Sequence, residues 1–183
     1  MEQQYHVKVV LADDVANSLK EPGAACFEPV VQCLGRDILN ADGRIDRQKM
    51  AAVIFSEPEK LAQVNAIIHP AVRQAVLCDM HKERARGEYD VFFLEAALLI
   101  EEGYDRVMDE LWYVYADADV RKKRLFAGRG YSEEKTDSII KKQLPEEVFR
   151  SKCQFVLDNS GDFEQTKKQI DEKMEVLLCR KQK

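Results

Sequence analysis

A β-branched run that stops at two adjacent acids constrains this chain more than any other stretch. In HVKVVLADDVANSLKEPG (residues 6–23) the apolar residues Val7, Val9, Val10 and Leu11 suit a short buried strand, and the run closes on Asp13 and Asp14. A helix-like segment and a Glu-Pro-Gly break follow. In open parallel α/β sheets ligands sit beyond the carboxyl ends of the strands, so an acid there either caps the next helix or faces a ligand. One cap needs one acid. Asp14 can serve as that cap, which leaves Asp13 as the candidate for chemistry.

Four segments read as short strands: His6–Ala12, Asp90–Glu95, Glu110–Ala116 and Gln154–Leu157. Between the first two lies a long helical region. AACFEPVVQCLG has apolar residues at helical spacing with Pro29 in its first turn, and NADGRID is a turn centred on Asp42-Gly43. Asp46 is placed to cap RQKMAAVIF, and Ser56 to cap EPEKLAQVNAII with Pro58 at the helix start. His69-Pro70 is expected to break the chain before the amphipathic stretch AVRQAVLCDMHKERARG, which Gly87 closes. After the second strand, EAALLIEEGYD is a loop or short helix, DADVRKKRLFAGRG begins as a basic helix, and residues 132–153 hold two more. The end of the chain is an amphipathic helix. Strands alternating with helices predict an α/β fold, a parallel sheet flanked by helices. The helices of residues 24–86 are too many for one crossover and predict an inserted helical subdomain.

Composition narrows the function. The 183 residues suit one domain, and 45% hydrophobic with 33% charged residues suits a water-soluble core. A net charge of −5 offers no global basic field, so neither nucleic acid nor a membrane surface is expected as partner. No apolar run approaches the roughly 18 residues of a membrane span, and the N-terminus has no signal-peptide pattern. The cytosol is the expected compartment. Five cysteines without a C-x-x-C pair and three histidines without metal spacing predict neither disulfides nor a structural metal site. Cys26 and Cys33, seven apart, fit one packed helical stripe.

Three groups of residues carry candidate chemistry. Glu95 ends the second strand, and with Asp13 it makes two acids at neighbouring strand ends, suited to Mg²⁺ or to activating a hydroxyl. A lone acid bonded to a neighbouring loop is the plainer reading of Glu95. Arg124 and Arg129 flank the glycine-bearing segment AGRGYS, which suits an arginine flap closing over phosphates; a solvated helix face accounts for most of the surrounding cations. FVLDNSG (residues 155–161) ends a strand in Asp158, Asn159 and Ser160, either a simple turn or a loop reading a nucleobase edge. His69 either touches substrate or ends a helix.

In order along the chain, ADDVA…EPG (Ala12–Ala16, Glu21–Gly23), LGRDILNADGRIDR (Leu34–Arg47), VIFSEPEKLAQVNAIIHPAV (Val53–Val72), EAALLIEEG (Glu95–Gly103) and VLDNSG (Val156–Gly161) resemble the dephospho-coenzyme A kinases. The resemblance implies a P-loop nucleotide-kinase-like fold with a helical substrate subdomain (24–86) and a lid (124–150). It implies transfer of the γ-phosphoryl of ATP to the ribose 3′-hydroxyl of dephospho-CoA, with ATP and Mg²⁺ as cofactors. It implies a catalytic set of Asp13, Arg124 and Arg129, with His69, Glu95 and Glu101 on the substrate side. Glu95 stands near Mg²⁺, and Asn159 lies in the adenine loop. The sequence departs from the family pattern at Leu11, where the first acid of D-x-D is expected, and at Ala97, where a proline is expected. Its lid arginine, Arg129, stands one place later than in the pattern.

None of the eight glycines is followed by lysine, so G-x-x-x-x-G-K-[ST] does not occur. The family carries that loop ahead of the first strand seen here, on a unit of roughly 25–30 residues, and Met1–Tyr5 reads as the tail of its helix. The expectation is therefore a chain without its phosphate cradle, inactive on ATP by itself. Loss of a central strand would bare both neighbouring edges and predicts instability, self-association or a longer parent protein. Two rival readings stand beside the enzyme: a non-catalytic module that keeps a dephospho-CoA pocket, and a kinase for another nucleotide.

Overall fold

The computed structural model describes residues 1–2 and 4–181 and resolves into two compact units, Met1–Leu98 and Leu99–Lys183. In the first unit, β1 (Val7–Leu11) pairs in parallel with β2 (Val91–Glu95), Val7 opposite Val91 and Leu11 opposite Glu95. Val7 and Val10 are buried, as a strand covered by helices requires. Lys8 breaks the apolar run for a reason: its ammonium lies 2.9 Å from Asp79 and 2.9 Å from Glu83, both on the long helix α4 (Pro58–Arg86). Burial opposes its charge, but the hydrogen bonds and charges of those two acids outweigh it and raise its pKa above the ordinary lysine value.

The helices of this unit pack on one another around a single apolar cluster. α1 (Ala12–Ser18), α2 (Phe27–Leu34) and α3 (Arg47–Ser56) each contact α4. Cys26, Phe27, Val30, Val31, Leu34, Ile38 and Val64 form the buried centre, with Met50, Val53 and Ile54 of α3 laid against it. The stripe expected of Cys26 and Cys33 is present: Cys26 is buried at the head of α2, and Cys33 packs on the same cluster. The Asn40–Arg44 turn is closed by the Asn40 side chain, which accepts from the N–H of Asp42 at 3.0 Å and of Arg44 at 2.9 Å. Gly43 there has φ +74°, which only glycine adopts freely. Asp46 then caps α3 as expected, accepting from the N–H of Gln48 and Lys49.

Two helix boundaries differ from the sequence reading. Ser56 does not cap α4. It is the last residue of α3 and donates to the Val53 carbonyl, leaving Glu57 at the N-cap and Pro58 in the first turn. Nor does His69-Pro70 break the chain, because α4 runs through Pro70. A proline removes one N–H and strains one turn, roughly 3 kcal/mol. Burying Val64 on one side of it and Val72 and Val76 on the other favours a continuous helix by more than that. Gly87 ends α4 in the left-handed conformation, as read.

In the second unit, β3 (Trp112–Tyr115) pairs in parallel with β4 (Phe155–Asp158). Trp112 meets Phe155 edge to face at 5.0 Å, and Tyr113 stacks on Phe149 at 4.9 Å. The helices are α5 (Ala118–Arg129), α6 (Glu133–Lys141), α7 (Glu146–Lys152) and α8 (Phe163–Lys181). α8 packs on β4 and buries Met174 completely. The sheet expected as one is thus two parallel pairs. Among the described residues no further strand joins them, so every strand has an unpaired edge. No helix of the described residues is long and apolar enough to cross a membrane.

Candidate functional site

β1 passes into α1 with no intervening loop. Leu11 is the N-cap, in extended conformation and without a side-chain cap bond, so Asp13 and Asp14 both fall inside the first helical turn. Neither acid caps the helix. Asp13 instead lines an open cleft of about 310 Å³ between two helical faces. One face is Asp13, Ala16, Asn17 and Lys20, from α1 and the turn after it; the other is Arg47, Met50, Ala51 and Ile54 of α3. Both sets follow the spacing i, i+3, i+4, i+7, one stripe of a helix. Asp46 starts α3 in register for this, since capping it puts Arg47 at the helix's first position.

The cleft is an acid and two cations on an apolar floor. Lys20 is half-buried, and burial with the charge of Arg47 pushes its pKa below the ordinary lysine value, against the weaker pull of Asp13 and Cys26. Neither the Lys20 ammonium nor the Arg47 guanidinium has a hydrogen bond or ion pair among the described residues. Glu95 ends β2 directly opposite Leu11, so it and Asp13 emerge at the carboxyl edge of the same strand pair. His69 lies inside α4, half-buried and engaged with a neighbour, and does not line the cleft. Lys20 and Arg47 were missed by the sequence reading. The stripe spacing that Asp13 shares with Lys20, and Arg47 with Ile54, was the signal that would have found them.

In the second unit the carboxyl ends of β3 and β4 build a loop cluster. Tyr115 donates to the Asp117 carboxylate at 2.7 Å, which raises the tyrosine's pKa, and the Asp117 N–H donates to the Ser160 hydroxyl at 3.0 Å. The Asn159 N–H donates to the Tyr115 carbonyl at 2.7 Å, and the Asn159 side-chain oxygen accepts from Thr166. Hydrogen bonds from the hydroxyl and N–H of Ser160 hold Asp158 below the usual carboxylate range. Arg124 spans the loop, donating to the carbonyls of Asn159 at 2.6 Å and Gly161 at 3.2 Å. Arg129, the last residue of α5, is exposed and has its guanidinium 6.0 Å from the Tyr131 ring centroid. Glu101 lies exposed in the turn after Leu98. The other cations of this stretch mostly pair locally, Lys122 with Asp137 and Arg150 with Glu146.

Among the described residues no group of three or more histidine, cysteine, aspartate or glutamate side chains is placed to hold a metal ion. Asp13 and Glu95 are carboxylates at the same end of one strand pair, the ligand type that Mg²⁺ takes when it arrives with nucleotide phosphates.

Parallel strand pairs flanked by helices, with acids at the carboxyl ends of the strands, are consistent with the class of P-loop nucleotide-kinase-like α/β folds. A family model described as dephospho-CoA kinase matches residues 1–165, and the chain belongs to that family. It is 33% identical over 163 residues to a dephospho-CoA kinase of Symbiobacterium thermophilum, covering 89% of this chain and 68% of the relative. It is 39% identical over 153 residues to one of Corynebacterium diphtheriae, covering 84% and 76%. Its fold is similar to the crystal structure of TT1252 from Thermus thermophilus, with TM-score 0.75 and 28% identity over 96% of this chain and 87% of that one. It is also similar in fold to a dephospho-CoA kinase from Campylobacter jejuni, with TM-score 0.68 and 20% identity over 92% and 84%.

Proposed function

We propose that this chain phosphorylates the ribose 3′-hydroxyl of dephospho-CoA at the expense of ATP, the last step in making coenzyme A, with the acceptor held in the Asp13 cleft. The observation that carries this reading is the position of Asp13: first turn of α1, exposed, uncommitted to capping, and on a cleft wall. In that place its carboxylate accepts the hydroxyl's hydrogen bond and then its proton. The hydroxyl oxygen forms a bond to the γ-phosphorus as the bond from that phosphorus to the bridging oxygen of ADP breaks. Mg²⁺ would neutralise phosphate charge when bound with the nucleotide, and Glu95, at the end of the strand paired with β1, would help to hold it. Residues 24–86 are the substrate-binding subdomain in this reading. Residues 124–150 are the lid, with Arg129 free to reach phosphate. Asn159, in its loop, faces adenine. Arg124 is tied to that loop, so its part in catalysis is to hold the loop in shape while Arg129 meets charge.

Calorimetry with dephospho-CoA and with Mg-ATP, followed by a phosphoryl-transfer assay, tests the reading. Dephospho-CoA should bind, and in a chain completed with a glycine-rich strand-loop-helix Asp13→Asn should cut turnover by about 10²–10⁴ while leaving that binding nearly unchanged. A second reading is favoured by one observation: the cleft is complete within residues 1–98, whereas a G-x-x-x-x-G-K-[ST] loop does not occur in the 183 residues. A dephospho-CoA-binding module without catalysis would bind the first ligand and not the second. Adding a glycine-rich strand-loop-helix ahead of Met1 should then confer turnover. The unpaired strand edges support self-association, which sedimentation at several concentrations would reveal. The cytoplasm is the compartment in which both substrates of this reaction would meet the chain.

A further inference from the structure

Two cations face one cleft, and no group among the described residues makes a hydrogen bond or ion pair with either. Lys20 and Arg47 approach from opposite walls, α1's end and α3's start, closely enough for the charge of one to disfavour that of the other. Lys20 is half-buried and Arg47 exposed, and neither has a hydrogen-bond or ion-pair partner among the described residues, whereas Lys8, Lys122 and Lys173 each meet a carboxylate. Like charges held together against only the weaker pull of Asp13 cost free energy that a bound anion would offset. Asp13, the one acid on the lining, lies in the first turn of α1, and Lys20 in the turn that follows that helix.

We propose that Lys20 and Arg47 are the diphosphate clamp of this cleft, binding residues that grip the 5′-diphosphate of the nucleotide acceptor while Met50 and Ile54 cover the apolar arm beyond it. The clamp's identification with dephospho-CoA rests on the proposed function; its anion chemistry does not. A ribose that offers its 3′-hydroxyl to Asp13 carries its 5′-oxygen across a single five-membered ring. The diphosphate therefore falls a short way along the lining from Asp13, toward Lys20 in the turn that follows α1. Arginine on the facing wall offers a planar two-pronged donor to phosphate oxygens, and lysine a point charge. Ile54 and Met50, one turn apart on α3, continue the groove with surface suited to an uncharged chain.

The test is titration calorimetry on the full chain with dephospho-CoA, inorganic pyrophosphate and adenosine as separate probes. Lys20→Ala and Arg47→Ala should each weaken pyrophosphate and dephospho-CoA binding about tenfold, the scale of one charge-assisted hydrogen bond, and leave adenosine unaffected. Lys20→Arg should restore most of the loss. Independently of any variant, pyrophosphate should protect the Lys20 amine from acylation in the unaltered chain, read by peptide mass. Affinity for pyrophosphate should also fall as pH rises through the lowered Lys20 titration, set by Arg47, Asp13 and Cys26 around it. This loss should come earlier than with an ordinary lysine, and Lys20→Arg should abolish the dependence. Pyrophosphate bound through these two residues, with dephospho-CoA not bound, would uphold the clamp and sink the substrate assignment. Unchanged affinity for both anions in a folded double variant overturns the clamp, as does an unaltered chain that binds neither.

Discussion

Asp46 is the residue on which the cleft's second wall depends, and replacing it by alanine tests how the site is built. Its carboxylate accepts from the Gln48 N–H at 2.8 Å and the Lys49 N–H at 3.1 Å, two of the four donors that a helix start leaves unmatched. α3 buries no residue completely, so packing offers little compensation if that first turn loosens. Loss of an Asp cap costs about 0.5–2 kcal/mol, and loss of a negative charge at the positive helix end adds toward the upper part of that range. With a urea dependence of about 1–3 kcal/mol per molar, the midpoint should fall by about 0.5–1 M. Amides 47–50 should exchange faster, and because Arg47 is at the helix's first position, cleft binding should weaken with them. Asp46→Asn keeps the acceptor and should recover most of the loss. If alanine at this position leaves both the urea midpoint and the exchange of those amides where they were, the cap does not hold the wall and the reasoning fails.

Other outcomes follow from the same contacts. Ile38→Ala empties a fully buried position at the centre of the helical cluster and should cost about 2–5 kcal/mol by urea unfolding, without altering Arg124's loop. Lys8→Met removes one of the two cations paired with the nearly buried Glu83 carboxylate, leaving Arg86 at 3.2 Å, and should cost up to about 3 kcal/mol, below the range for a buried charge that loses its sole partner; Lys8→Met with Glu83→Leu should recover most of it. Since the folded pKa of Lys8 is raised, its contribution is whole below the unfolded value of 10.5 and disappears only as pH climbs through the folded one. The stability gap between the unaltered chain and Lys8→Met should therefore stay level from about pH 8 to about pH 10 and close above it. Arg124→Gln removes both carbonyl contacts of the loop and should raise amide exchange at Ser160 and Gly161, an effect that hydrogen-exchange mass spectrometry would show and that Arg124→Lys should only partly reproduce.

Much of this protein could be read along the chain because its signals are local. Four strands lie within two residues of the segments chosen by apolar pattern, since a run such as Val7–Leu11 has no alternative burial at that length. Asp46, Gly43 and Gly87 act through their own backbone neighbours, and each does what its residue type dictates. Pro70 does not, because whether a proline ends a helix depends on what the following turns bury. Val72 and Val76 have partners in space that no window of sequence displays. Ser56 differs for a smaller reason: one extra residue of α3 makes it the last of that helix, where its hydroxyl donates to the Val53 carbonyl instead of capping α4.

The site divides in the same way. An acid closing a buried strand marks Asp13 from sequence alone, because strand ends and ligand edges coincide in parallel α/β folds. Order along the chain likewise identified the family. Tertiary structure decided that Asp13 stands free of its helix cap, that Lys20 and Arg47 face each other, and that Arg124 is bound to a loop while Arg129 is not. Charges far apart in sequence acquire their meaning only when packing sets the distance between them and removes the water that would screen them.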